Sequence, residues 1–124
     1  MWLDNPISLN LNFEKISKNK VEAEFVPGEY HQGYDGIMNG GLTSTLLDEA
    51  MAYAVGFKDI LAFTAELNVR FKKAVKIGEK LIIRGFYDHA KQSSIAVIHY
   101  TSAEIVNSSG ELKAKAEAKF IEAD

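Results

Sequence analysis

Two glycines, followed eight residues later by a carboxylate inside an apolar stretch, carry the clearest chemical content of this sequence. The glycines are Gly40 and Gly41, preceded by Asn39; the carboxylate is Asp48, with Glu49 beside it. From Gly40 the chain reads Leu42, Leu46, Leu47, Ala50, Met51, Ala52, Ala54 and Val55, and Gly56 supplies a C-terminal stop. A helix apolar on nearly all sides is predicted to be buried. Its first turn offers backbone N–H groups without intrahelical partners, at the positive end of the helix dipole. With glycine there, a carbonyl can approach without meeting a Cβ, which makes the Gly40 N–H a candidate oxyanion donor. The alternative is that the glycines only let the helix start tightly against its neighbours.

Asp48 is the candidate for activating water or attacking a carbonyl. An ionised carboxylate in an apolar helix is unfavourable unless paired, hydrogen-bonded or near water, so it marks a function or a satisfied structural bond. Glu49 competes for the role. Successive helical residues point about 100° apart, so only one of the two is expected to face a site. Gly40 and Asp48 lie about 12 Å apart along a helix axis at ~1.5 Å per residue. They cannot meet at one carbon from the same helix, and a site using both requires Asp48 from a second subunit.

The elements that position these residues follow from hydrophobic periodicity. After the polar turn Lys18-Asn19-Lys20, Val21, Ala23 and Phe25 alternate with Glu22 and Glu24, a strand with one wet face that ends at Pro27-Gly28. Glycines 33, 36, 40 and 41 then form a loop into the helix. Strands are expected over 63–71, 80–87 and 95–106, with a polar loop over Asp88–Ser93 and a turn at Asn107-Ser108-Ser109-Gly110. The last strand sets Leu112, Ala114, Ala116, Ala118 and Phe120 on one face and Glu111, Lys113, Lys115, Glu117 and Lys119 on the other. Its small alanines leave room for the helix to lie close. One strand, one long helix and four antiparallel strands make an α+β domain.

The 124 residues, 47% hydrophobic, suit a single domain over 1–124. A net charge of -3 argues against a nucleic-acid partner. The absence of cysteine excludes disulfides and thiolate chemistry. No run is long and apolar enough for a membrane span, and the start, Met1-Trp2-Leu3-Asp4-Asn5-Pro6, lacks the basic segment of a signal peptide. A soluble, cytoplasmic protein without membrane association is expected. The three histidines show no metal spacing, so no metal is expected; His31 reads as a loop hydrogen-bonder and His99 as a strand residue without an evident partner.

The stretch from His31 to Met51, with Asn39-Gly40-Gly41 and Leu47-Asp48 at its centre, resembles the signature of hotdog-fold acyl-CoA thioesterases of the phenylacetate-pathway (PaaI-like) type, G-x-x-H-G-G-x-x-x-x-L-x-D. Thr64-Ala65-Glu66-Leu67-Asn68-Val69-Arg70-Phe71 and the following Ala74 to Glu79 resemble that family's next strand and turn. The resemblance implies a hotdog fold, an antiparallel sheet wrapped around one helix, and hydrolysis of an acyl-CoA thioester, with coenzyme A only as part of the substrate and no cofactor. It implies sites at the interface of a homodimer, often within a dimer of dimers. It points to Asp48 as the catalytic acid, Gly40 as the oxyanion donor and Thr64 as a residue holding the attacking water. Gln32, Gly41, Glu49 and Phe71 are implied to line the substrate site. Lys72, Lys73 and Lys76, with the Lys91-Gln92-Ser93 loop, match segments that contact coenzyme A. The chain departs from the pattern at Asn39, where the family has histidine. Asn can donate and accept hydrogen bonds, so Asn39 keeps a positioning role in the catalytic site, but it cannot become a cation, which keeps open a non-catalytic protein that binds or senses acyl-CoA or acyl-carrier protein. Hydratase chemistry would need a close Asp/His pair, and no such spacing is present.

Overall fold

The computed structural model describes residues 11–123, so the expectation for the first six residues lies outside the described part. Two short strands, β1 (Glu14–Ser17) and β2 (Lys20–Phe25), form a hairpin. After a 3-10 turn at Glu29–His31 comes the helix α1, Gly40–Gly56. Four strands complete the chain: β3 (Ala62–Phe71), β4 (Leu81–Gln92), β5 (Val97–Asn107) and β6 (Leu112–Glu122). All six pair antiparallel in one sheet of order β1-β2-β4-β5-β6-β3, with α1 lying across one face.

The alternations read from the sequence set the helix-facing side. Val21, Ala23 and Phe25 of β2, and Ala114, Ala116, Ala118 and Phe120 of β6, are buried against Leu46, Leu47, Ala50, Met51 and Val55 of α1. Each large side chain fully buried here contributes about 1.5–3 kcal/mol of transfer free energy. One close backbone approach of helix to sheet leaves no signature in the hydrophobic pattern. A Cβ built on Gly85 of β4 would stand 2.2 Å from the Ala50 carbonyl oxygen. Backbone sits on backbone there, and the obstructing atom cannot rotate away. Gly85→Ala is therefore expected to destabilise the protein by about 3 kcal/mol, read as a lower urea midpoint at unchanged m-value.

Five expectations need correction. The hairpin adds β1, whose four residues are all exposed and so show no alternation. β4 runs on through Asp88 to Gln92, where a polar loop was expected, because it extends along β5 as a ribbon exposed to solvent. The helix is not buried all round: Ala52 and Tyr53 on its far side are exposed. Lys113 is buried rather than on the wet face. His99, finally, has two partners, with Nδ1 2.8 Å from the Tyr87 hydroxyl and Nε2 2.8 Å from Glu122 Oε2. A carboxylate only accepts, so Nε2 donates to it, and Nδ1 shares the remaining hydrogen bond with the Tyr87 hydroxyl. Burial, with the charge of Glu122, raises the Tyr87 pKa.

Candidate active site

The start of α1 is built around Asn39. This residue is the N-cap: its Oδ1 accepts from Gly41 N at 2.7 Å and more weakly from Leu42 N at 3.4 Å. A Cβ on Gly41 would lie 3.0 Å from that oxygen, so a side chain there would crowd the cap. Asparagine is among the preferred N-cap residues, which gives the residue in the histidine position a structural task. His31 supports the same corner. Its carbonyl accepts from Asn39 N at 2.7 Å, and its Nδ1 accepts from Gly28 N at 2.9 Å, the loop role expected of it. Gln32 holds the loop from the other side, with Oε1 accepting from Gly36 N at 2.8 Å.

The Gly40 N–H has no hydrogen-bond acceptor among the described residues. Gly40 lines a cleft of about 280 Å³ together with Met38, Thr43, Phe71, Lys72 and Val75. The Phe71 ring stands 3.8 Å from where a Gly40 Cβ would be. Of the two lysines on the rim, Lys73 is paired with Glu111, whereas Lys72 makes no ion pair among the described residues. This end of the helix thus offers an unpaired amide, an aromatic wall and one uncompensated cation.

Asp48 lies two turns further on and is half-buried. Thr64 donates from Oγ1 to its Oδ1 at 2.9 Å. A β-bulge delivers that contact. Thr64 pairs with Phe120 and Glu66 with Lys119, leaving Ala65 without a partner. The extra residue lets Thr64 share the helix-facing side with Leu67, Val69 and Phe71, which oppose Ala118, Ala116 and Ala114. Glu49 is exposed and its pKa is raised, first by desolvation and then by repulsion from Asp48. A carboxylate with a folded pKa above its unfolded value loses stability as pH rises through the folded pKa, and the effect vanishes below the unfolded one. Glu49→Gln is therefore expected to raise Tm by about one degree at neutral pH and to leave it unchanged near pH 3.5, in paired thermal melts.

The structure does not bring all the candidates together in one chain. Phe71, Lys72 and Lys73 accompany Gly40 at one end of the sheet. Thr64 lies seven residues up β3 from Phe71, about 23 Å at ~3.3 Å per residue. Lys91 falls at the Thr64 end, since Lys91, Ile98, Ile121 and Phe63 form one cross-strand row. Ser93 is in the adjoining turn, where its hydroxyl donates to Ala96 O and accepts from Ile95 N and Ala96 N. A separate hollow of about 210 Å³ on the sheet, between Arg70, Phe86, Ser102 and Lys115, includes none of the candidate residues. Among the described residues no three His, Asp or Glu groups are placed to hold a metal, and no helix is long and apolar enough to cross a membrane.

Residues 35–113 match the family model of the thioesterase superfamily, well over half of the chain, and the protein belongs to that superfamily. A mouse protein named acyl-coenzyme A thioesterase THEM5 is 30% identical over 67 residues, 54% of this chain and 27% of that protein. The chain spans only 27% to 42% of the length of the curated relatives it matches. A hypothetical thioesterase from Streptococcus pneumoniae, solved with coenzyme A, superposes with a TM-score of 0.83 at 22% identity, covering 92% of this chain and 86% of that one. The Escherichia coli PaaI protein of the phenylacetic acid degradation operon gives 0.80 at 17%, over 90% of this chain and 82% of that one. Both structural likenesses establish the hotdog fold.

Proposed function

We propose that the protein hydrolyses an acyl-CoA thioester to free coenzyme A and a carboxylic acid, at a site shared by two copies of the chain. The observation that carries this reading is the division of the chemistry into two half-sites on one helix. The unpaired Gly40 amide and the Asp48–Thr64 pair are separated by about 12 Å, so neither can complete the other within a chain. In a two-fold dimer the Gly40 end of one helix meets the Asp48 end of its partner, giving two equivalent sites.

The free edge of the sheet supports that assembly. β3 ends the sheet, ten residues long, and carries Phe63 and Phe71 at 56% and 58% exposure, with Leu67 and the preceding Leu61 also exposed. A long apolar edge with unpaired backbone groups is a template for strand pairing. Pairing β3 with its copy covers those side chains and joins two sheets into one. A homodimer is the minimum assembly, and a dimer of dimers is compatible with it.

At such a site the thioester carbonyl oxygen accepts from the Gly40 N–H, where the helix dipole stabilises the developing oxyanion. Water bound beside the Asp48–Thr64 pair gives a proton to the Asp48 carboxylate as its oxygen bonds to the carbonyl carbon. The C–S bond then breaks, and the departing thiolate takes up the proton to leave as free thiol. Lys72, on the rim of the Gly40 cleft, is the cation assigned in this reading to a coenzyme A phosphate. The names of the curated relatives and the coenzyme A in the Streptococcus pneumoniae structure favour this substrate class. The test is thiol release from a panel of acyl-CoAs, followed spectrophotometrically. Turnover supports the proposal; tight binding of coenzyme A without turnover of any acyl-CoA would assign the protein to binding or sensing instead.

A further inference from the structure

Lys113 breaks the alternation of β6. Ala114 pairs with Ile105 and Leu112 with Val106, so Lys113 is the unpaired residue of a β-bulge. Freed from the ladder, it does two things. Its carbonyl accepts from Lys72 N at 2.9 Å and Lys73 N at 3.0 Å. Its side chain, 4% exposed, places Nζ 3.1 Å from each of three acceptors: Ala74 O, Glu79 Oε2 and Glu111 Oε1. That is one acceptor for each ammonium proton. Burial opposes the charge, but hydrogen bonds and charges from Glu111 and Glu79 outweigh it and hold the pKa above the ordinary lysine value.

The acidic partners extend the clamp. Glu79 also accepts from Lys76 N, and Glu111 pairs with Lys73. Both ends of the connection from Lys72 to Glu79 are thereby tied to one buried lysine, and its first part, Lys72 to Val75, forms the wall of the cleft facing Gly40. The attachment continues inward, since Val75 O accepts from Met38 N at 2.8 Å, one residue before the N-cap.

We infer that Lys113 is a positioning residue for the coenzyme A half of the substrate, fixing the cleft wall that carries Lys72. This inference rests on the hydrolase reading for its substrate but not for its geometry. Lys113→Met removes the ammonium and keeps an apolar stem of similar length. For an acyl-CoA, KM is expected to rise about tenfold with kcat within about twofold of wild type. The N-acetylcysteamine thioester of the same acyl group lacks the nucleotide, and its kcat/KM is expected to stay within about twofold. In hydrogen exchange, the Lys72 and Lys73 amides should exchange about tenfold faster while Thr101 and Ala103 in central β5 keep their protection. Parallel loss on both substrates, or uniform acceleration of exchange, would mean that Lys113 only stabilises the fold and would overturn the inference. If wild type hydrolyses neither thioester, the hydrolase reading fails; the exchange pattern and calorimetric affinity for coenzyme A still decide the clamp. Should the single variant not fold, Lys113→Met with Glu79→Gln removes one carboxylate left without its cation and serves in the same measurements.

Discussion

Asp48→Asn is expected to lower kcat for acyl-CoA hydrolysis by about 10²- to 10⁴-fold, with KM little changed, the range for removing a positioned general base. Asparagine retains an oxygen at the Oδ1 position, so the 2.9 Å bond from Thr64 has an acceptor and the bulge at Ala65 keeps its role. What disappears is the basicity. The substitution therefore separates chemistry from packing better than alanine, which would also strand the Thr64 hydroxyl. Thiol release at saturating substrate, with Tm beside it, makes the measurement. Comparable rates for Asp48→Asn and wild type, together with loss in Glu49→Gln, would transfer the role to Glu49. The Thr64 hydroxyl bonded to Asp48 is the observation that favours Asp48 for this role.

The parts of this fold legible in the sequence are those where one face is buried and its partner wet. Ala114 to Phe120 could be read because the helix covers one side of β6 and solvent the other. β1 could not: with all four residues exposed it has no face to betray it. The end of β4 was obscured for a related reason, since Asp88 to Gln92 are all exposed and mostly polar, with no buried face to mark a strand. Periodicity also says nothing about neighbours. It could not place β3 beside β6 at the sheet edge, nor reveal that Gly85 meets Ala50 backbone to backbone. Those are long-range facts, set by how the whole sheet wraps the helix.

The site divides in the same way. The helix start and its carboxylate stand out because glycine and aspartate are out of place in an apolar run. The use of Asn39 as an N-cap is legible in the sequence, since asparagine before a helix is a strong capping signal. The bulges were not within reach. One extra residue at Ala65 turns Thr64 toward Asp48, and another turns Lys113 inward, against the simple alternation of both strands. Both irregularities lie beside the proposed half-sites, where local pattern and global structure are most free to disagree.

Mixing two inactive variants is expected to restore activity, and this separates a shared site from any site within one chain. Gly40→Pro is the first partner. Gly40 is the first helical residue, where proline is well tolerated and where its only chemical loss is the N–H. Asn39, at φ -58° and ψ 132°, already has the extended conformation required before proline. A Cβ there makes ordinary contact with Phe71 at 3.8 Å. The variant should fold, dimerise and lose about 10²- to 10³-fold in kcat, the effect of removing one oxyanion donor. Asp48→Asn is the second partner. In a mixed dimer one site receives both lesions and the other neither, so each heterodimer has one intact site. Statistical exchange makes half the dimers mixed, and recovered activity should approach about a quarter of wild type after co-refolding at equal amounts. Native mass spectrometry on isotopically labelled chains counts the heterodimers, so activity can be compared with their abundance. Heterodimers formed in full yield but without recovered turnover would place Gly40 and Asp48 in the same site of one chain, or remove one of them from catalysis.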